Sequence, residues 1–98
     1  MAISVFIKRH LKEGQIGKAF ELLKRFRSSA MKQPGYISGE TLVDHYDPHR
    51  ITIISTWETV DDWIRWQESD ARETKESELA DYLGAPTKYE IYDVGKLP

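Results

Sequence analysis

The chain contains no cysteine, which excludes disulfide bonds, thiolate nucleophiles, iron–sulfur clusters and Cys-ligated zinc. Proline and glycine are scarce, with four and six among 98 residues, and 40% of the residues are hydrophobic, so collagen-like, low-complexity and disordered chains are excluded too. The 14 lysine and arginine residues are balanced by 16 aspartate and glutamate residues. The sequence therefore lacks the concentrated basic face that is expected of a nucleic-acid-binding protein. No apolar run reaches the roughly 18 residues of a membrane span, and the N-terminus lacks a secretory signal pattern. We therefore expect one cytoplasmic domain over residues 1–98, with neither nucleic acid nor a membrane as partner.

The first half of the chain is a succession of periodic segments. Residues 2–9 alternate with a period of two and are rich in β-branched side chains, which predicts a strand. Apolar residues at helical spacing from Gln15 to Met31 predict an amphipathic helix. Gln33-Pro34-Gly35 ends it, because proline cannot continue the hydrogen-bond ladder. Tyr36 to Asp44 and Arg50 to Trp57 predict a hairpin of two strands.

The second half predicts two short helices and a last strand. Thr59 opens the first of these helices as its N-cap. Its inner face is formed by four residues, Val60, Trp63, Ile64 and Gln67. Ser69-Asp70 ends this helix and caps the next one, because Asp70, followed three places later by Glu73, approximates a capping box, and the next helix runs to about Leu83. Thr87 to Val94 predicts the fourth strand.

The predicted order βαββαβ, with the second helix split in two, is typical of α+β ferredoxin-like domains, in which helices cover one face of a four-stranded antiparallel sheet. The other face is usually polar, but here the strands carry large apolar side chains on both sides. In the third strand, Ile51 and Ile53 point one way and Ile54 points the other. A second copy of the chain is the simplest cover for such a surface, so we predict a homodimer with sheet packed against sheet.

Three segments, Pro34 to Leu42, Ile53 to Trp63, and Trp66 with Ser69, form a further pattern. It consists of Pro-Gly-aromatic after the first helix, a strand that ends in Trp, and a helix that carries another Trp shortly before a Ser. This pattern resembles the antibiotic biosynthesis monooxygenase family of the dimeric α/β-barrel superfamily. The resemblance implies a small homodimer. Active family members include oxygenases of polycyclic aromatics or quinols, heme-degrading enzymes and proteins that act on a small signalling molecule.

The heme-degrading members allow a comparison residue by residue. The resemblance implies a pocket Asn on the first strand, a Trp on the helix after the third strand, and an iron-ligating His further along. Trp66 matches the Trp, but Glu76 stands where the His would be, and the chain contains no Asn. Because a carboxylate is a poor axial partner for heme, we do not expect heme degradation unless His10, His45 or His49 substitutes.

Aromatic residues are candidates for a ligand pocket between sheet and helices. Trp66 lies at the edge of the predicted core, where a flat indole can stack on a flat ligand. Trp63 and Phe6 are further candidates for substrate binding. Core packing is the alternative for both tryptophans, and the sequence does not decide which face of its strand Phe6 occupies.

Glu76 lies on the inward side of the last helix, one turn before Leu79. Arg72, which we place among the substrate-binding residues, stands at i−4 and can pair with it along the helix. The alternative is that burial raises the pKa of Glu76, so that it shuttles a proton during oxidation of a phenol or hydroquinone. We name Trp66 and Glu76 as the candidate catalytic residues.

Histidines His10, His45 and His49 lack metal-ligand spacing, although two of them cluster with Asp44 and Asp47 in one turn. We predict no metal and no cofactor. The leading hypothesis is a cofactor-independent monooxygenase that acts on an electron-rich aromatic or quinol-type molecule in each subunit of a homodimer. The alternatives are a non-catalytic ligand-binding or stress-response module that uses the same cavity, and a heme-handling protein.

Overall fold

A computed structural model describes residues 1–95 of the chain. Within them, four strands and three helices follow in the order β1 (Ile3–His10), α1 (Ile16–Ala30), β2 (Tyr36–Val43), β3 (Arg50–Trp57), α2 (Val60–Gln67), α3 (Asp70–Ala80) and β4 (Lys88–Asp93). The strands form an antiparallel sheet in the order β2-β3-β1-β4. This confirms the ferredoxin-like α+β fold with its second helix split in two. In this part of the chain no helix is long and apolar enough to cross a membrane.

The core lies between one face of the sheet and the helices. Alternate residues of the two central strands are buried there, because side chains of a strand point to opposite faces. The helix α1 contributes the predicted apolar stripe, whose buried members are Ala19, Leu22, Leu23 and Phe26. Burial of a large apolar side chain stabilises a fold by about 1.5–3 kcal/mol. The predicted bounds of the strands and of α1 agree with the structure within one residue.

The buried face of α2 differs from the predicted one. Trp63 and Trp66, three residues apart, are buried, whereas Val60 and Ile64 are 42% and 38% exposed and Gln67 is exposed as well. The two indoles are the largest side chains of the helix, so burying both removes more apolar surface from water than burying Val60 and Ile64 would. Trp66 is therefore part of the interior and not at its edge.

Side-chain caps define where α2 and α3 begin. Thr59 caps α2 as predicted, with its Oγ1 accepting a hydrogen bond from the Asp62 backbone N–H at 3.1 Å. The cap of α3 is Ser69, whose Oγ accepts from the Arg72 N–H at 3.2 Å. This confirms that the Ser69-Asp70 pair caps the helix, but the capping box placed on Asp70 is wrong, since Asp70 is the first residue of the helix itself.

The end of α3 also differs from the prediction. The helix ends at Ala80 and not near Leu83. Leu83 instead forms an antiparallel bridge with Leu11, just beyond β1, and the Gly84 N–H donates to the His10 carbonyl at 2.7 Å. These contacts with β1 replace the last helical turn and fix the end of α3 against the sheet.

The sheet face away from the helices, here termed the open face, has an apolar centre and a polar edge. Phe6 and Ile54 lie opposite each other on β1 and β3 and are half-buried. The Tyr92 ring packs edge-on against Phe6 with centroids 5.2 Å apart. Lys8 and Glu90 form an ion pair of 3.2 Å beside them. The apolar side chains that the sequence places on this second face are thus partly exposed.

Candidate functional site

A cavity of about 50 Å³ lies between the inner face of the sheet and the helices. The side chains of Ile7 and Ile53, paired across β1 and β3, form part of its sheet side. Further apolar walls come from α1 and α2, through Leu23, Phe26 and Trp66. Since one water needs about 10–15 Å³ of such space, the cavity as it stands holds a few waters. A ring-sized ligand therefore requires the mouth to widen.

The mouth lies between α1 and β2, where the lining residues are exposed. Arg27 of α1 and Glu40 of β2 both border it. The Nη2 group of Arg27 donates to the Gly39 carbonyl at 3.0 Å and so bridges the two elements. Long charged side chains at a surface move easily, because their charged ends remain in water in several positions. The bridge can open without disturbing the core.

The opposite side of the cavity contains a buried ionic cluster. Arg9 follows Ile7 in the inward alternation of β1, and its side chain is 2% exposed. Its Nη2 lies 2.6 Å from Oε1 of Glu76 and its Nη1 lies 3.3 Å from Oε2, a bidentate contact. Nη1 also donates to Thr87 Oγ1 at 3.1 Å. Arg72 donates from Nη2 to the same Oε1 at 3.0 Å. Arg9, Arg72 and Glu76 are termed the arginine cluster.

Aromatic rings hold both guanidinium groups in place. The Arg9 guanidinium lies 5.1 Å from the centroid of the Phe26 ring. The Arg72 guanidinium lies 5.7 Å from the centroid of the Trp63 ring and 5.6 Å from the centroid of the Tyr89 ring. Such cation–π contacts gain strength when water is excluded. The two positive charges are therefore fixed at the cavity wall.

The ionisation of Glu76 follows from these partners. Burial alone would raise the pKa of Glu76, but the hydrogen bonds and charge of Arg9, the charge of Arg72 and the Tyr89 hydroxyl outweigh it, so the pKa lies below its ordinary value. The expectation of a raised pKa is wrong, and the alternative, a pair with Arg72 along the helix, is confirmed. Both arginines line the cavity, whereas Glu76 lies behind them.

The two candidate tryptophans have different places. Trp66 and Arg72 line the cavity together. Trp63 is 1% exposed and lies in the core, with ring centroids 6.1 Å from Trp57 and 6.2 Å from Tyr89. The structure therefore places Trp66 as a wall of the cavity, and Trp63 as the packing residue that supports Arg72 from behind.

Phe6 does not lie on this side of the sheet. Because β1 alternates, Ile7 and Arg9 face the helices and Phe6 faces the opposite way, onto the open face. This corrects the expectation that Phe6 lines the cavity beneath the helices.

Two buried polar residues of the cavity, Arg9 and Ser55, are not anticipated from the sequence. Ser55 is buried, and its Oγ accepts a hydrogen bond from the Trp57 Nε1–H at 2.6 Å. A signal for both exists in the sequence. Each occupies an inward position in a period-two pattern, where a polar residue needs a partner or a ligand.

The histidine turn is organised by its own backbone. Asp44 Oδ2 accepts the N–H groups of Tyr46 and Asp47 at 3.0 and 2.8 Å, and Asp47 contacts the His49 ring at 3.3 Å. Over residues 1–95, no group of three or more His, Cys, Asp or Glu side chains is placed to hold a metal ion.

Comparisons with known proteins extend the structural description. The family model described as "Antibiotic biosynthesis monooxygenase" matches residues 2–74, from β1 into α3. A conserved protein from Methanosarcina mazei Go1 superposes with a TM-score of 0.87 at 22% identity, over 94% of this chain and 91% of that one. SnoaB, a cofactor-independent oxygenase from Streptomyces nogalater, superposes with a TM-score of 0.84 at 13% identity. The superposition covers 99% of this chain and 97% of SnoaB. At these identities the superpositions show a shared fold. No curated protein matches the sequence.

Proposed function

Because the chain belongs to the antibiotic biosynthesis monooxygenase family, we propose that it is a small oxygenase that needs no cofactor and oxidises an aromatic or quinol-type molecule. The observation that carries the proposal is the cavity, in which the flat Trp66 indole lies beside the buried guanidinium groups of Arg9 and Arg72. The fold shared with SnoaB, itself described as a cofactor-independent oxygenase, supports the same reading.

The arginine cluster supplies what such a reaction requires. An electron-rich phenol or hydroquinone reduces O₂ directly once a hydroxyl is ionised, and fixed positive charges favour that ionised form. Glu76 is already ion-paired, so the proton leaves to water at the mouth. Glu76 is then a positioning residue that orients Arg9 and Arg72, and Trp66 orients the ring by stacking.

The reaction balances without any further reductant. The ionised hydroquinone gives one electron to O₂, the two radicals combine at a ring carbon, and the resulting hydroperoxide loses water. One hydroquinone and one O₂ give one hydroxyquinone and one water. One atom of O₂ remains in the product and the other leaves in water.

Oxygen uptake with a panel of hydroquinones tests this function. We expect equal consumption of O₂ and hydroquinone, and one ¹⁸O atom in the quinone when ¹⁸O₂ is used. Trp66→Leu should lower kcat/KM by a factor of about 2 to 13, since aromatic stacking contributes roughly 0.5–1.5 kcal/mol, while Trp66→Phe should retain most of the activity. Absence of uptake across the panel, with ligand binding retained, would favour the non-catalytic module instead.

We also propose that two copies associate through the open face. Its apolar centre at Phe6, Ile54 and Tyr92 is bordered by polar groups such as the Lys8–Glu90 pair, the anatomy of many protein interfaces. Sedimentation velocity at micromolar concentration measures this directly, and a monomer there would contradict the dimer. The cytoplasmic location expected from the composition stays a prediction for cell fractionation.

A further inference from the structure

We propose that the cavity selects aromatic molecules that carry a negatively charged oxygen, and that Arg9 and Arg72 form the subsite for that oxygen. The inference rests on the proposed function in one respect: it names the class of substrate for the same cavity. The charged oxygen can belong to a carboxylate or to an ionised phenol, since both present the same acceptor to a guanidinium group.

The charges at the inner wall of the cavity do not balance. Two buried guanidinium groups of the arginine cluster share one carboxylate, that of Glu76. Buried charges are normally compensated, because an unpaired charge loses its hydration. Arg27 at the mouth is exposed, so water and salt screen its charge, and Glu40 is paired with Ile54, so its side chain is on the open face of the sheet. One positive charge therefore remains uncompensated at the inner wall of the cavity.

Several hydrogen-bond donors around the cavity are unused. Among residues 1–95, Nε of Arg9 is buried and has no hydrogen-bond partner, which is uncommon for a buried N–H group. Both side-chain hydrogen bonds of Arg72 leave from Nη2, so its other N–H groups keep donor capacity. The Ser55 hydroxyl accepts from Trp57 and retains its own proton for donation. Arg72 at the cavity wall can therefore satisfy an acceptor in addition to Glu76, and Arg9 adds a buried N–H that is not yet paired.

Both guanidinium groups are held rigidly. Phe26 holds the Arg9 guanidinium on one side, and Trp63 and Tyr89 hold that of Arg72. The positive charges cannot swing out to water, so compensation has to come from a molecule that enters the cavity. Such preorganisation lowers the entropic cost of binding. Trp66 in the same cavity provides the surface on which the aromatic part of that molecule stacks.

Calorimetric titration with small probes tests the preference without any turnover. Benzoate supplies a carboxylate, pentafluorophenolate supplies an ionised phenol, and benzamide is a neutral molecule of nearly the same shape as benzoate. We expect at least one anion to bind about tenfold or more tightly than benzamide, as expected for a hydrogen bond to a charged group. Whichever of the two anions binds more tightly shows whether the charged oxygen belongs to a carboxylate or to an ionised phenol. Benzamide binding as tightly as both anions would overturn the inference.

Variants of the arginine cluster give an independent result. Glu76→Gln removes the competing negative charge, so the tighter-binding of the two anions should bind several-fold more tightly still, and the affinity for benzamide should not change. Arg72→Gln should lower the affinity for that anion to the affinity for benzamide. Arg25 is an exposed residue of α1 outside the cavity. The control substitution Arg25→Gln removes the same charge and should leave the affinity for every probe unchanged. If Arg72→Gln does not fold, Glu76→Gln decides alone, and an unchanged or weaker affinity for the tighter-binding of the two anions refutes the subsite.

The two proposals fail in different ways. Tight benzoate binding without oxygen uptake from any hydroquinone would keep the anion subsite and refute the oxygenase. Oxygen uptake from the hydroquinones, together with benzamide binding as tightly as both benzoate and pentafluorophenolate, would keep the oxygenase and refute the subsite.

Discussion

Replacing Glu76 by glutamine should lower the free energy of unfolding at neutral pH. Glutamine has nearly the same shape, so the packing around α3 is retained, but it carries no charge. The guanidinium groups of Arg9 and Arg72 then stay buried without the carboxylate that compensates them. Removing one partner of a buried ion pair is costly, because the remaining charge has lost its hydration.

The contacts set the magnitude. Arg9 and Arg72 make three hydrogen bonds to the Glu76 carboxylate, of 2.6, 3.0 and 3.3 Å. A hydrogen bond to a charged group contributes roughly 1.5–3 kcal/mol, but the glutamine oxygen still accepts one of them. The Glu76 side chain is also 24% exposed, so water screens part of the interaction. We expect a loss of about 2–3 kcal/mol, a large part of the roughly 5–15 kcal/mol that stabilises a typical domain.

The loss should depend on pH in a defined direction. The pKa of Glu76 lies below its ordinary value of 4.5 because of Arg9 and Arg72, so ionisation favours the folded state. That stabilisation is complete above pH 4.5 and disappears as the pH falls through the lower pKa of the folded protein. The difference between the native protein and Glu76→Gln should therefore be largest near neutrality and shrink in acid.

Urea unfolding followed by tryptophan fluorescence measures both effects, since Trp57, Trp63 and Trp66 are all buried. Glu78→Gln, an exposed position on the same helix, is the matched control and should change the stability by less than about 0.5 kcal/mol. Equal stability of Glu76→Gln and the native protein at pH 7 would refute the reasoning. So would a difference that stays the same from pH 7 into acid.

Two further predictions concern backbone and assembly. Gly35 has a φ of +83°, and an added Cβ would overlap the Asp62 carboxylate, so Gly35→Ala should destabilise by about 2–3 kcal/mol in urea unfolding. Gly17→Ala, where a Cβ meets open space in α1, should instead stabilise by up to about 1 kcal/mol, and similar shifts for both would contradict the argument. Phe6→Lys at the centre of the open face should give a folded monomer in sedimentation velocity. Met31 is exposed at the end of α1, and the control substitution Met31→Lys should leave the dimer intact. A dimer that persists in Phe6→Lys would place the interface elsewhere.

The fold follows from the sequence wherever periodicity alone decides the structure. The alternation in β1 and the stripe of α1 give their elements within one residue, because these patterns match strand and helix geometry directly. The predicted helix end and buried helix face are wrong where packing against other parts of the chain determines them. The α3 helix ends early because Leu83 pairs with Leu11, and α2 turns its indoles inward because of their size, which local pattern does not register.

The site shows the same division more sharply. The sequence pairs Glu76 with Arg72 along one helix. With this single cation, burial and charge pull the pKa of Glu76 in opposite directions, and the sequence does not decide which effect is larger. Arg9 decides that competition, and it comes from a strand 67 positions away in the chain. A second guanidinium on the same carboxylate turns Glu76 from a candidate proton carrier into an anchor for two positive charges. Since those charges, and not Glu76, face the cavity, the cavity wall presents positive charge to a ligand and does not present the carboxylate of Glu76.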